Sequence, residues 1–102
     1  MTKLEITYSI NEILSLGSVC LGNFDQSNLK VFLRGEGLDE EDGTIRFKQT
    51  KNGYNDFNYI SAEQGIENGT VELNLLNNRD QLWLEVATMP NDTTGQVTLI
   101  IY

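Results

Sequence analysis

The sequence predicts an all-β fold, an antiparallel β-sandwich of Ig-like or jelly-roll-like type with about seven to eight short strands. Apolar and polar residues alternate in most segments, which is the period of a half-buried strand. Turn signals such as Asp-Gly and Asn-Gly separate these segments, and no segment sustains helical spacing beyond two turns. The 102 residues have the length of one domain, so we expect a single sandwich over residues 1–102, with an open barrel as the alternative.

The strands follow in chain order from this alternation. Leu4, Ile6, Tyr8 and Ile10 occupy every second position and predict the first strand. Residues 11–24 show no clear period, and because Gly17 interrupts them we interpret them as two short strands rather than a helix. The remaining strands are predicted at residues 29–34, 44–50, 57–60, 70–76, 81–88 and 96–102.

The same alternation predicts the core. The core-facing side chains of the last two strands are Leu82, Leu84, Val86, Val97, Leu99 and Ile101. Cys20 is the only cysteine and cannot form an internal disulfide, so we expect a free thiol that fills a core position.

The charge of the chain argues against two classes of partner. The net charge is −8, and the seven Lys and Arg residues are scattered along the chain. Phosphate backbones and anionic lipids require clustered cations, so we expect no direct nucleic-acid partner and no membrane partner. The first residues lack an apolar stretch of signal-peptide length, and no apolar run approaches the roughly 20 residues that span a bilayer. We therefore expect folding in the cytosol.

The inventory of reactive side chains argues against an enzyme. The chain has no His to activate a nucleophile and one Cys, too few for a thiolate metal site. Fifteen acidic residues guarantee chance pairs of carboxylates, so such pairs do not indicate a hydrolase. We expect no catalytic residue and no cofactor.

The acidic run Asp39-Glu40-Glu41-Asp42 raises the question of calcium, which takes six to eight oxygen ligands. Its spacing lacks the alternate ligand positions of an EF-hand, although Asp80 and Asp92 in other loops could approach it. We interpret the run as the solvated tip of a hairpin and expect no metal site.

Aromatic residues give the functional hypothesis. Trp83 lies on the strand face opposite Leu82 and Leu84, and Ile100 and Tyr102 oppose the core-facing residues of the last strand. If these two strands pair as a hairpin, Trp83, Ile100 and Tyr102 share one outer patch, which Phe32 would extend. A contiguous patch anchored by Trp and Tyr marks an interface. The alternative is that a loop covers this sheet and the patch is core.

The order of segments from Asn28 onward resembles a known class of proteins. The resemblance rests on the segments Leu-Lys-Val-Phe-Leu, Gly-Thr-Ile-Arg-Phe-Lys-Gln-Thr, Lys-Asn-Gly-Tyr-Asn-Asp-Phe, Leu-Trp-Leu-Glu-Val and Thr-Gly-Gln-Val-Thr-Leu-Ile-Ile-Tyr. This order is similar to that of the small β-sandwich accessory virion proteins of tailed bacteriophages, the decoration, auxiliary capsid and head-fibre types. The resemblance covers about three quarters of the chain and leaves the first 27 residues without a counterpart.

The resemblance implies a non-enzymatic auxiliary capsid protein that is assembled in the host cytoplasm and located in the virion. Its partners would be other virion proteins, the major capsid or head-fibre protein, and homo-oligomers would also form. A carbohydrate-binding module is the alternative, with Trp83, Tyr54 and Tyr59 stacking on sugar rings. A phage-encoded inhibitor that binds a host protein through its acidic surface is the third hypothesis.

Overall fold

The alternating segments build two antiparallel sheets that lie face to face in a computed structural model, which confirms the all-β sandwich. The structure describes residues 4–24, 27–36, 43–51, 56–65, 69–76, 81–89 and 94–102. In these ranges the elements are β1 (Leu4–Ser9), α1 (Ile10–Leu16), β2 (Ser18–Gly22), β3 (Asn28–Glu36), β4 (Thr44–Thr50), β5 (Phe57–Tyr59), β6 (Gln64–Gly65), β7 (Gly69–Asn74), β8 (Gln81–Thr88) and β9 (Gln96–Ile101).

The strands divide between the two sheets without following chain order. Sheet A has the order β1-β9-β3-β7. Sheet B has the order β2-β8-β4-β5, and β6 also pairs with β4. Every pairing between the described strands is antiparallel. The consecutive strands β8 and β9 belong to different sheets, whereas β4 and β5 pair within sheet B.

The core lies between the sheets and is formed by the predicted faces. Alternate residues of the long strands are almost fully buried: Leu29, Val31, Leu33, Ile45, Phe47, Leu82, Leu84, Val97, Leu99 and Ile101. Val86 is only partly buried and packs at the margin of this cluster. Because strand side chains alternate between faces, this burial also determines which residues lie on the outer face of each sheet.

The interpretation of residues 11–24 as two strands is wrong in its first half. Residues 10–16 form the helix α1, which begins where the Ser9 hydroxyl accepts a hydrogen bond from the Glu12 amide at 3.0 Å. Gly17 ends the helix with a φ of 82°, a conformation that glycine adopts without strain. Ile10 and Ile13 lie three residues apart on one helical face, and both are buried. The glycine therefore terminates a short helix and does not separate two strands.

The expected core position of Cys20 is also wrong, because its side chain is exposed. Val19 and Leu21 on either side of it are buried, so the alternation of β2 directs the thiol to the outer face of sheet B. The pairing of β2 with β8 shifts register between Cys20 and Gly22, and Gly22 has a φ of 112°.

Several predicted features lie outside the described residues. These are the acidic run at residues 39–42, the Asn-Gly turn at residues 52–53, Tyr54, Asp80 and Asp92. Within the described ranges, no helix is long and apolar enough to cross a membrane.

Candidate functional site

The predicted patch of four residues is divided between the two sheets. Trp83 belongs to β8 in sheet B, whereas Ile100 belongs to β9 in sheet A. The hairpin that would have joined them is wrong, because β8 pairs with β2 and β4 while β9 pairs with β1 and β3. Trp83 is therefore separated from the other three residues by the thickness of the sandwich.

Sheet A brings the other three residues together. Phe32 of β3 and Ile100 of β9 are direct cross-strand partners, and both are half-buried. Tyr102 continues the alternation beyond Ile100, is exposed, and donates its backbone N–H to the carbonyl of Lys30 at 3.0 Å. Glu5 and Thr70 flank the pair in the same row of the sheet. The outer face of sheet A thus holds a small apolar pair within polar surroundings.

Trp83 has a different environment on the outer face of sheet B. It lies between Cys20 of β2 and Lys48 of β4 in the same row of the sheet. The indole Nε1–H donates to the Thr50 hydroxyl at 2.9 Å, and Thr50 is fully buried. The side chain is half-buried, so this hydrogen bond fixes the ring on the sheet and leaves part of it at the surface.

A carboxylate shared by two cations lies beside Trp83. Because Ile45 and Phe47 point into the core, Arg46 and Lys48 point outward, and Arg46 is the direct cross-strand partner of Glu85. Glu85 accepts from Arg46 Nε at 2.5 Å and from Lys48 Nζ at 3.2 Å. The side chain of Lys48 is only 3% exposed and that of Glu85 only 12%, so the lysine charge is neutralised where water has little access.

The short strand β5 supplies two aromatic rings to this cluster. Phe57 and Tyr59 meet edge to face, with ring centroids 5.2 Å apart and planes at 75°. The Arg46 guanidinium carbon lies 4.0 Å from the centroid of the Tyr59 ring, and Lys48 Nζ lies 4.8 Å from the centroid of the Phe57 ring. Together these side chains form what we call the sheet B face: Arg46, Lys48, Phe57, Tyr59, Trp83 and Glu85.

The proton affinities of the cluster follow from these contacts. Burial raises the pKa of Glu85, but hydrogen bonds from Arg46, Tyr59 and Lys48 outweigh it, so the pKa lies below its ordinary value. Burial and the hydrogen bond to Glu85 raise the pKa of Tyr59. The hydrogen bond to Glu85 raises the pKa of Arg46. Each shift favours the state in which Glu85 is ionised and Tyr59 and Arg46 keep their protons.

Most of the sheet B face was not predicted, because only Trp83 was among the expected interface residues. The signal for Arg46 and Lys48 was present, since both alternate with core residues of one strand, as Glu85 does with Leu84. What was missing was the pairing of β4 with β8, which joins residues 39 positions apart in sequence. Alternation assigns a residue to a face but does not identify the neighbouring strand.

The sheet B face combines charged and aromatic side chains at the surface. Stacked cations, exposed rings and a shared carboxylate provide directed donors and apolar area for a partner. No group of three or more His, Cys, Asp or Glu side chains that could hold a metal ion is found within the described ranges.

Comparison of the chain with protein-family models gives no match, and comparison with curated proteins gives none.

Proposed function

We propose that this protein is a non-enzymatic binding module that docks on a partner protein through the sheet B face. The observation that carries the proposal is the association of Trp83, Tyr59 and Arg46 on one surface. Trp, Tyr and Arg are the residue types most enriched in binding hot spots. Their side chains are already ordered by contacts within the sheet, which lowers the entropy cost of binding.

The proposed partner is a repetitive virion surface formed by the major capsid or head-fibre protein. The resemblance to accessory virion proteins of tailed bacteriophages supports this choice. An array of identical docking sites tolerates a weak single contact, because neighbouring contacts act together once the protein is held on a particle as an oligomer. The net charge of −8 supports solubility before assembly.

The carbohydrate-binding alternative has less support from the arrangement of the rings. Sugar rings stack on flat aromatic surfaces, whereas Phe57 and Tyr59 meet at 75° and do not form a common plane. The guanidinium of Arg46 also covers one side of the Tyr59 ring. A host-protein inhibitor would bind a different partner through the acidic surface of the chain, so particle binding separates the two hypotheses.

The test is co-sedimentation of the purified protein with parent virion particles, using two matched variants. Phe57→Ser removes a ring that is 38% exposed on sheet B, and Tyr102→Ser removes a ring that is 43% exposed on sheet A. We expect Phe57→Ser to weaken binding by about tenfold or more, as for a hot-spot aromatic, and Tyr102→Ser to change it by less than about threefold.

Three results would contradict the proposal. Loss of binding with Tyr102→Ser alone would move the interface to sheet A, the face of Phe32 and Ile100. Absence of binding by the unmodified protein would exclude the virion surface as the partner. Binding to a glycan array that Phe57→Ser abolishes would favour the carbohydrate-binding module.

A further inference from the structure

The strand β1 lies at one edge of sheet A, and its backbone has a defined direction there. Among the described strands, β1 pairs with β9 alone. The Ile10 amide donates to the Gly95 carbonyl at 3.0 Å, which continues the ladder between β1 and β9. Because the direction of the peptide groups alternates along an antiparallel strand, those of Glu5 and Thr7 point away from β9. A further strand added to sheet A would meet these groups first.

The inward side chains of β1 show that this margin of the sandwich is open to water. Leu4, Ile6 and Tyr8 point towards the core and pack against it, but each is only partly buried. On the neighbouring strand β9, the inward residues Leu99 and Ile101 are fully buried. An inward side chain on an edge strand reaches water past the edge of the sheet. Three apolar side chains are therefore partly hydrated along β1.

The other described edges of the two sheets are built differently. The strand β5 has three residues and β6 has two, so they offer little backbone for pairing. The edge of β2 is interrupted by a register shift next to Gly22. The strand β7 has six residues, as β1 has, but inward Leu73 is fully buried, Gly69 lacks a side chain, and Val71 alone is a partly buried apolar residue. A regular edge and a row of partly hydrated apolar side chains coincide at β1.

The sequence of β1 matches a second copy of itself in the antiparallel direction. With Ile6 on a two-fold axis, Glu5 lies opposite the second copy's Thr7, and Leu4 lies opposite its Tyr8. Glu5 is the one charged residue of β1, so this register places no like charges opposite each other. The outward peptide groups of Glu5 and Thr7 form hydrogen-bonded pairs between the copies, and the apolar side chains cover one another.

We propose that a second copy of this chain adds to the β1 edge as an antiparallel strand, so that the two four-stranded sheets A join into one sheet. The two-fold axis is perpendicular to the joined sheet, so both sheet B faces point to the same side of the dimer. The inference goes beyond the proposed function, because the free protein forms this dimer without a particle. It also supplies two docking faces to a repetitive surface.

The test is sedimentation equilibrium of the purified protein under reducing conditions, from about 1 μM to about 1 mM. We expect a reversible monomer–dimer equilibrium with a Kd of about 10 to 100 μM, because an edge contact buries a small area. Thr7→Pro removes an N–H that points at the second copy, in a position where an edge strand tolerates proline. We expect this variant to weaken the dimer by about tenfold or more.

The opposite edge of sheet A provides the matched control, Thr70→Pro. Thr70 is an exposed threonine of β7. The Leu75 amide donates to the Ser27 carbonyl at 2.8 Å, which continues the ladder between β3 and β7, so the Thr70 N–H also points out of the sheet. We expect Thr70→Pro to change the dimer Kd by less than about twofold.

Charge at position 7 tests the register. Thr7→Lys places an ammonium opposite the second copy's Glu5, whereas Thr7→Glu places a carboxylate there, at two symmetric positions. Both variants lose the hydroxyl contact with Thr98, so their difference isolates the charge. We expect Thr7→Lys to dimerise at least about tenfold more tightly than Thr7→Glu. Thr70→Lys and Thr70→Glu make the same changes in net charge, and we expect them to differ by less than about threefold.

Several outcomes would overturn the inference. These are a monomer at every concentration, an equal loss with Thr70→Pro, or the same Lys-to-Glu difference at both positions. Weakening of the dimer by Phe57→Ser would assign the contact to the sheet B face instead. If circular dichroism shows that Thr7→Pro does not fold, the charge variants decide. If the dimer forms as expected while particle docking fails, the inference stands and the choice of the virion surface is wrong.

Discussion

The outer faces of the two sheets obey the same alternation but hold their polar groups differently. On sheet A, exposed pairs such as Arg34 with Glu36 lie in solvent around half-buried Phe32 and Ile100. On sheet B, Lys48 and Glu85 are withdrawn from water, and the Lys48 ammonium lies against the Phe57 ring. A buried ion pair adds little net stability, because desolvation offsets the attraction. The contrast teaches that the same alternation can leave a charged pair in water or withdraw it, and the withdrawn pair lies on the face that we propose for docking.

The largest expected difference between the faces concerns their glutamates. Glu85→Gln removes the carboxylate charge that the buried ammonium of Lys48 contacts, so we expect a loss of about 3 kcal/mol in the free energy of unfolding. Glu36→Gln disrupts an exposed pair, and we expect a change below about 0.5 kcal/mol. Urea denaturation at neutral pH measures both. Equal effects would mean that the two faces do not differ energetically.

Acid should reduce the stabilisation that the Glu85 carboxylate gives to the folded protein. Because the folded pKa of Glu85 lies below its ordinary value of 4.5, the unfolded chain takes up that proton first as the pH falls. The stabilisation from Glu85 is therefore complete above the ordinary pKa and is lost as the pH falls towards the folded pKa. We expect the gap in stability between the unmodified protein and Glu85→Gln to narrow over that range. A difference in the free energy of unfolding that stays constant over that pH range would contradict the lowered pKa of Glu85.

A smaller difference is expected for side-chain hydrogen bonds. Trp83→Phe keeps a ring on sheet B but leaves the buried Thr50 hydroxyl without this donor, and we expect a loss of about 1 kcal/mol. On sheet A, Gln96→Met removes the 3.0 Å hydrogen bond from Gln96 Nε2 to the Glu36 carboxylate, but both side chains are exposed, and we expect at most about 0.5 kcal/mol. Thermal unfolding of the two variants tests the order. The reverse order would place the more important hydrogen bond on sheet A.

The smallest effect on stability is expected at Cys20. Its side chain is exposed on the outer face of sheet B, so Cys20→Ser should change the free energy of unfolding by less than about 0.5 kcal/mol. The thiol should react with a maleimide in the folded protein, and because Cys20 is the cross-strand partner of Trp83, a bulky label there should hinder docking. A thiol that reacts only after unfolding would contradict the exposed position.

Local patterns in the sequence predicted the faces of the strands well and the neighbours of the strands poorly. Residues 44–50 and 81–88 were predicted as strands and match β4 and β8, because alternation is a property of consecutive residues. The helix α1 was missed because Gly17 ends it after seven residues, fewer than two full turns, although Ile10, Ile13 and Leu14 follow helical spacing. Arg46 and Glu85 meet because β4 pairs with β8, although the two residues are 39 positions apart in sequence. Alternation within each strand does not identify that pairing, which is established only when the whole chain folds.

The position of β9 in sheet A has a consequence for how the protein is made. Leu4 pairs with Ile101, and β9 lies between β1 and β3, so neither of these strands has its inner neighbour until residues 96–101 have left the ribosome. A nascent chain therefore displays two open strand edges for as long as β9 is missing, and such edges recruit foreign strands. Contacts across most of the chain also slow folding. The interval between synthesis of β3 and arrival of β9 is thus the period in which the nascent protein is most prone to aggregate.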